Sequence, residues 1–74
     1  MKVSHHAAIR FLERIMNLKE YTSEQVKRAI AFLEKDTDNI EFFNKQRVIL
    51  PSFPHFEVIQ RENMIITIIP KSRA

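Results

Sequence analysis

The sequence predicts an α+β domain, with two N-terminal helices packed on a three- to four-stranded antiparallel sheet in the order β-α-α-β-β-β. Three observations carry this expectation. Apolar residues recur at helical spacing through the first half of the chain. The second half changes to short β-branched runs bounded by prolines and polar residues. Glycine and cysteine are both absent, so tight turns fall to Asn and Asp, and packing alone must hold the fold.

Met1 to Ser4 reads as a short extended segment, with the Ser4 hydroxyl placed to accept a bond from an orphan amide of the next turn. Ala8, Phe11, Leu12, Ile15 and Leu18 then form one apolar stripe, which sets a first helix from about Ser4 to Asn17. Thr22 followed three residues later by Gln25 is a capping box, and Tyr21 stands where it can staple to Val26. Val26, Ala29, Ile30 and Leu33 give the second helix its buried face, and that helix should fade near Lys35. Asp38 with Glu41 favours a short helical turn over Ile40 to Phe43, although the two phenylalanines there could instead begin a strand.

Arg47 to Leu50, Phe56 to Gln60 and Met64 to Ile69 read as strands. Pro51 and Pro54 interrupt the first connection. Arg61-Glu62-Asn63 makes the second a tight hairpin, with Asn63 the natural left-handed residue. The run from Met64 to Ile69 is apolar on both faces and belongs inside the sheet.

The 74 residues suffice for one domain, 1–74, since a chain of this size buries only roughly 60% of its unfolded surface and has no second core to spare. No cysteine means no disulfide and no thiolate metal site, which suits a reducing cytosol. No apolar run approaches the roughly 20 residues of a membrane span, and no signal core follows Lys2. A cytoplasmic location and no membrane partner are therefore expected. Twelve Lys/Arg against nine Asp/Glu give a net charge of +3, which permits phosphate-bearing partners without requiring them.

Glycine-rich phosphate loops are excluded outright, and no nucleophile elbow, zinc-binding His pair or calcium loop is present. His5 and His6 are adjacent and point about 100° apart on a helix, so neither metal nor cofactor is expected. One polar constellation stands out. His6, Arg10, Glu13 and Asn17 fall within a helical strip about 60° wide, with Arg14 at its flank. An imidazole beside guanidiniums can hold a phosphodiester and move a proton near neutral pH; the same strip is also what any solvated helix face opposite a core stripe looks like. Thr67 is the one polar residue of its strand, either an ordinary β-branched choice or a hydroxyl offered to a ligand. Arg47, Arg61 and Lys71 could form a basic rim or stand as separate exposed charges. Phe11 and Phe32 suit a helical core. Phe53 and Phe56, beside Pro51, Pro54 and His55, could stack on bases or pack as a stiffened loop under the sheet.

The string Ser4-His5-His6-Ala7-Ala8-Ile9-Arg10-Phe11-Leu12-Glu13-Arg14 resembles the opening of a family of small bacterial and phage proteins whose first helix carries H-A-x-x-R, then Met or Phe, then x-E-R. In that family a helix of the S-E-x-V type follows and a strand reading roughly I-I-T-V closes the chain. Ser23 to Val26 and Ile65 to Ile68 hold those places here. The order of elements agrees over nearly the whole chain, while the informative motif spans His6 to Arg14. The family is grouped with the barnase, EndoU, colicin and RelE-like ribonuclease folds. The resemblance implies metal-independent RNA cleavage, with His6, Arg10, Glu13 and Thr67 as catalytic candidates, His6 as the proton carrier, and Arg10 and Arg14 on the phosphate. The chain departs from RelE-like toxins in its shortness and in lacking an arginine and tyrosine cluster on its last strand.

Two functions follow as expectations. One is a small RNA-directed, toxin-like endoribonuclease. The other is a non-catalytic interaction module that forms a homodimer or binds a protein partner such as an antitoxin. Duplex DNA is a poor candidate, because no recognition helix has helix-turn-helix spacing.

Overall fold

The computed structural model describes residues 1–38, 40 and 46–71. Strand β1 (Lys2–Val3) leads into helix α1 (His5–Arg10), which continues without a break as a π-helical segment over Phe11–Ile15. Helix α2 (Ser23–Asp36) follows, then β2 (Arg47–Ile49), β3 (Phe56–Arg61) and β4 (Met64–Pro70). The expected order β-α-α-β-β-β holds.

Both helices begin where their side chains dictate. Ser4 is extended and its hydroxyl accepts from the Ala7 amide at 3.0 Å, closing the first turn of α1. At α2 the box is complete: the Gln25 amide donates to the Thr22 hydroxyl at 3.2 Å, and the Thr22 amide donates to the Gln25 side chain at 2.7 Å. The first helix departs from expectation in its second half. The Met16 amide reaches back to the Phe11 carbonyl and the Leu18 amide to the Leu12 carbonyl, so the helix widens by one residue before it ends. Asn17, with φ of 57°, takes the left-handed position just past that end. Asn tolerates this conformation because its short side chain can bond locally.

The sheet has the order β1-β4-β3-β2. It is mixed rather than wholly antiparallel, because β1 runs parallel to β4, with Lys2 opposite Met64 and Val3 opposite Ile65. Sequence-local hairpin logic fixes direction only from β2 to β4; β1 reaches its neighbour through the helices, and either direction was open to it. The β3–β4 hairpin closes over Glu62 and Asn63, both with positive φ, the backbone of the primed turns that match strand twist.

A register shift between Ile59 and Gln60 decides which residues of β4 face inward. Ile59 pairs with Thr67 but Gln60 pairs with Ile65, leaving Ile66 as an extra residue. Ile65 and Ile68 are three apart, yet both are fully buried on the helix side. Without the bulge, strict alternation would turn one of them out.

Those two isoleucines join Val3, Ala7, Ala8, Phe11, Leu12, Val26, Ala29, Leu33, Leu50 and Val58 in one core between the helices and one face of the sheet. Thr37 is the one buried polar side chain among the described residues, and its hydroxyl donates to the Leu33 carbonyl at 2.8 Å. The aromatic side of Pro51 to His55 packs inward as a stiffened loop. Phe53 meets Phe11 and Phe32 with ring centroids 5.9 Å away from each, and Phe56 is half-buried. Most of the expected turn over Ile40 to Phe43 lies outside the described residues; Ile40 itself is half-buried, and its amide donates to the Thr37 carbonyl. No helix among the described residues is long and apolar enough to cross a membrane.

Candidate functional site

Helix α1 and its π-helical continuation bury Ala7, Ala8, Phe11 and Leu12, so the opposite side of the helix must be polar. His6, Arg10 and Glu13 stand there as a chain of contacts. Arg10 Nε donates to His6 Nε2 at 3.3 Å, and Arg10 Nη1 donates to Glu13 Oε1 at 2.8 Å. His6 thus presents a ring nitrogen as acceptor to the guanidinium. The Arg10–Glu13 pair leaves about a third of each side chain exposed. Its two charges cancel locally, so the strip offers little net attraction to an anion.

Arg14 does not join them. The widened turn carries it toward the sheet, where Arg14 Nη1 donates to the Ile68 carbonyl at 2.6 Å. Thr67 lies elsewhere again. It is next to the buried Ile68 and so points to the sheet face turned away from the helices, in one cross-strand row with Ile59 and Arg47. Arg61 is exposed at the hairpin end, opposite Met64. Lys71 is exposed at the other end of β4, its amide donating to the His55 carbonyl at 2.8 Å. The structure thus brings His6, Arg10 and Glu13 together, puts Arg47 and Thr67 in a second place, and leaves Arg14, Arg61 and Lys71 each in its own surroundings. Among the described residues no group of three His, Cys, Asp or Glu is placed to hold a metal ion.

A different site is built from apolar residues. Phe11 and Leu12 from the π-helical segment, Met16 and Leu18 from its end, Ala29 and Phe32 from α2, and Phe53 from the proline loop surround a concavity of about 330 Å³. Gln25 and Arg28 are the polar residues of its wall. Met16 is 51% exposed and Phe32 37% exposed, so two large apolar side chains stay partly in water at its mouth. Phe11 and Phe32 stack at 5.4 Å and hold the floor in place. Among the described residues Arg28 has one ionic neighbour, Glu24 at 3.6 Å, in a pair whose side chains are more than two-thirds exposed. Neither His6, Arg10, Glu13, Arg14 nor Thr67 lines this concavity.

The sequence held one sign of this groove. Phe32, expected beside Phe11 in a helical core, is instead partly exposed, and on a helical wheel it stands about 100° away from the face set by Val26, Ala29, Ile30 and Leu33. The π-helical turn that brings Met16 and Leu18 to the rim left no such trace.

Comparison with known protein families, with curated proteins and with solved structures finds no match to this chain.

Proposed function

We propose that this chain is a binding module that takes an apolar anchor of a protein partner into the groove between the π-helical segment, α2 and the Phe53 loop. The observation that carries the reading is the groove itself: about 330 Å³, walled mainly by apolar side chains, with Met16 and Phe32 left partly exposed at its mouth. Exposing such groups is costly for a domain this small, and surface of this kind marks recognition sites. The volume sits at the low end of the range for pockets that hold compact ligands, roughly 300–1,000 Å³, and fits one or two large side chains. Arg28 on the wall favours an anchor flanked by an acidic residue.

The test uses helical peptides with Leu or Phe anchors at i and i+4 and a flanking Glu, titrated against the protein while the methyl signals of Met16 and Leu18 are followed by NMR. Saturable shifts at micromolar peptide, abolished by Phe32→Glu and weakened when the flanking Glu becomes Lys, are expected. No shift at millimolar peptide would sink the reading.

A second reading is RNA-directed activity, and the contact between His6 and Arg10 favours it: an imidazole touching a guanidinium sets a group that can move a proton beside a cation. Incubation with a long RNA in chelator should then give cyclic phosphate ends, lost in His6→Ala. Intact RNA at high protein concentration removes this reading and leaves the groove untouched.

A further inference from the structure

We propose that β2 is a dimerisation edge, at which two copies of this chain pair antiparallel about a two-fold axis through Val48. The proposal is independent of the groove and rests on three observations.

The first is the direction of the backbone. The Gln60 amide donates to the Gln46 carbonyl and the Leu50 amide to the Phe56 carbonyl, with Val48 opposite Val58 between them. Gln46, Val48 and Leu50 therefore turn their backbone groups toward β3, and alternation turns those of Arg47 and Ile49 outward. β2 is the last strand of the sheet, so among the described residues these groups face no other strand. Two-fold pairing about Val48 sets Arg47 opposite Ile49 of the second copy and the reverse, which makes four backbone hydrogen bonds. Pro51 has no amide to offer and ends the pairing there.

The second is side-chain fit. Val48 is half-buried at the rim of the core, and in this pairing it meets Val48 of the second copy at a non-hydrogen-bonded position, where side chains approach closest. Ile49 is 41% exposed on the outer face, and an apolar residue on an exposed edge is a template for pairing.

The third is charge. Arg47 and Glu57 lie on the same outer face, on neighbouring strands, and form no ion pair with each other. In the paired arrangement Arg47 of one copy adjoins Ile49 of the other, and Glu57 adjoins that same Ile49 from its far side. The two charges are then roughly 9.5 Å apart between Cα atoms, against roughly 7–8 Å along the diagonal within one copy, so pairing gives each Glu57 a second arginine within reach. An arginine laid along the Ile49 side chain can cover that distance. Each copy supplies one such pair, so the contact satisfies its own two-fold symmetry.

Three residues per strand bury far less than the roughly 1,600 Å² of a standard interface, so the dimer is weak, with a dissociation constant on the order of 100 µM. Sedimentation equilibrium on the whole chain from micromolar to millimolar concentration tests it. The expected mass rises from 8.8 kDa toward twice that value. Ile49→Pro removes one outward amide without touching the β3 bonds and should hold the chain monomeric. Arg47→Glu and Glu57→Arg should each weaken pairing by about 10-fold or more, and the double variant should restore it. A monomer at millimolar concentration overturns the proposal. So does a dimer indifferent to Ile49→Pro, or a double variant no better than its parents while circular dichroism shows it folded.

Discussion

The two edges of the sheet are built differently. On the β4 side, β1 covers only Met64 and Ile65, and side chains take over where it stops. The Ser4 amide donates to the Ile65 carbonyl at 2.9 Å, the Ser4 hydroxyl to the Ile66 carbonyl at 3.3 Å, and Arg14 to the Ile68 carbonyl. Pro70 then removes the last amide that could pair. On the β2 side, no charge points inward and no proline interrupts the strand; Arg47 and Ile49 are exposed. One edge is closed by polar side chains drawn from the first helix, and the other is kept as ordinary strand. The contrast shows how a chain with a small core spends its polar groups: where two elements must meet, side chains satisfy the backbone, and among the described residues nothing comparable caps β2.

The largest test of this contrast compares one isoleucine at each edge. Ile65→Ala, fully buried beside Val3, should cost about 2–5 kcal/mol in urea unfolding, whereas Ile49→Ala on β2 should cost about 0.5 kcal/mol or less at concentrations where the chain is monomeric. Similar costs would erase the distinction. Ser4→Ala comes next. It removes a helix cap and the bond to Ile66 together, and should lower stability by about 1–2 kcal/mol, with Ser4→Gly costing less because Gly is itself tolerated at that position. Arg14→Ala should cost about 1 kcal/mol and, by baring the Ile68 carbonyl, raise the rate of amide exchange along β4 relative to β3. The smallest effect is expected away from both edges. Glu13→Gln breaks a partly exposed pair on the first helix and should change stability by about 0.5 kcal/mol or less, an effect that fades further in high salt.

Much of this architecture was legible in the residues. The capping box at Thr22 and Gln25, the stripe from Val26 to Leu33 and the hairpin at Glu62-Asn63 are local signals, and each produced the expected element. The parallel pairing of β1 was not legible, because no short-range signal links Val3 with Ile65 across sixty residues. The inward turn of both Ile65 and Ile68 was hidden for a related reason: a bulge is set by pairing with β3, and a strand read alone shows only its alternation. The polar strip was half legible. His6, Arg10 and Glu13 do meet, as helical spacing requires, but spacing counted at 3.6 residues per turn placed Arg14 and Asn17 with them. The π-helical turn sends Arg14 to the sheet, and Asn17 is past the end of the helix. The groove was the least visible, since it depends on Phe53 arriving from a distant loop.

That wide turn has a consequence for chain length. A π-helical segment holds one residue more than an α-helix of equal span needs, so removing a single residue between Phe11 and Ile15 leaves a helix that can still close its hydrogen bonds. Residues upstream and downstream would then keep their phase, because the residue removed is the one the wide turn takes up. Such a shortened chain would keep its helical content and lose the bulge alone, so a lost codon here tests whether the wide turn is what carries Arg14 to the Ile68 carbonyl.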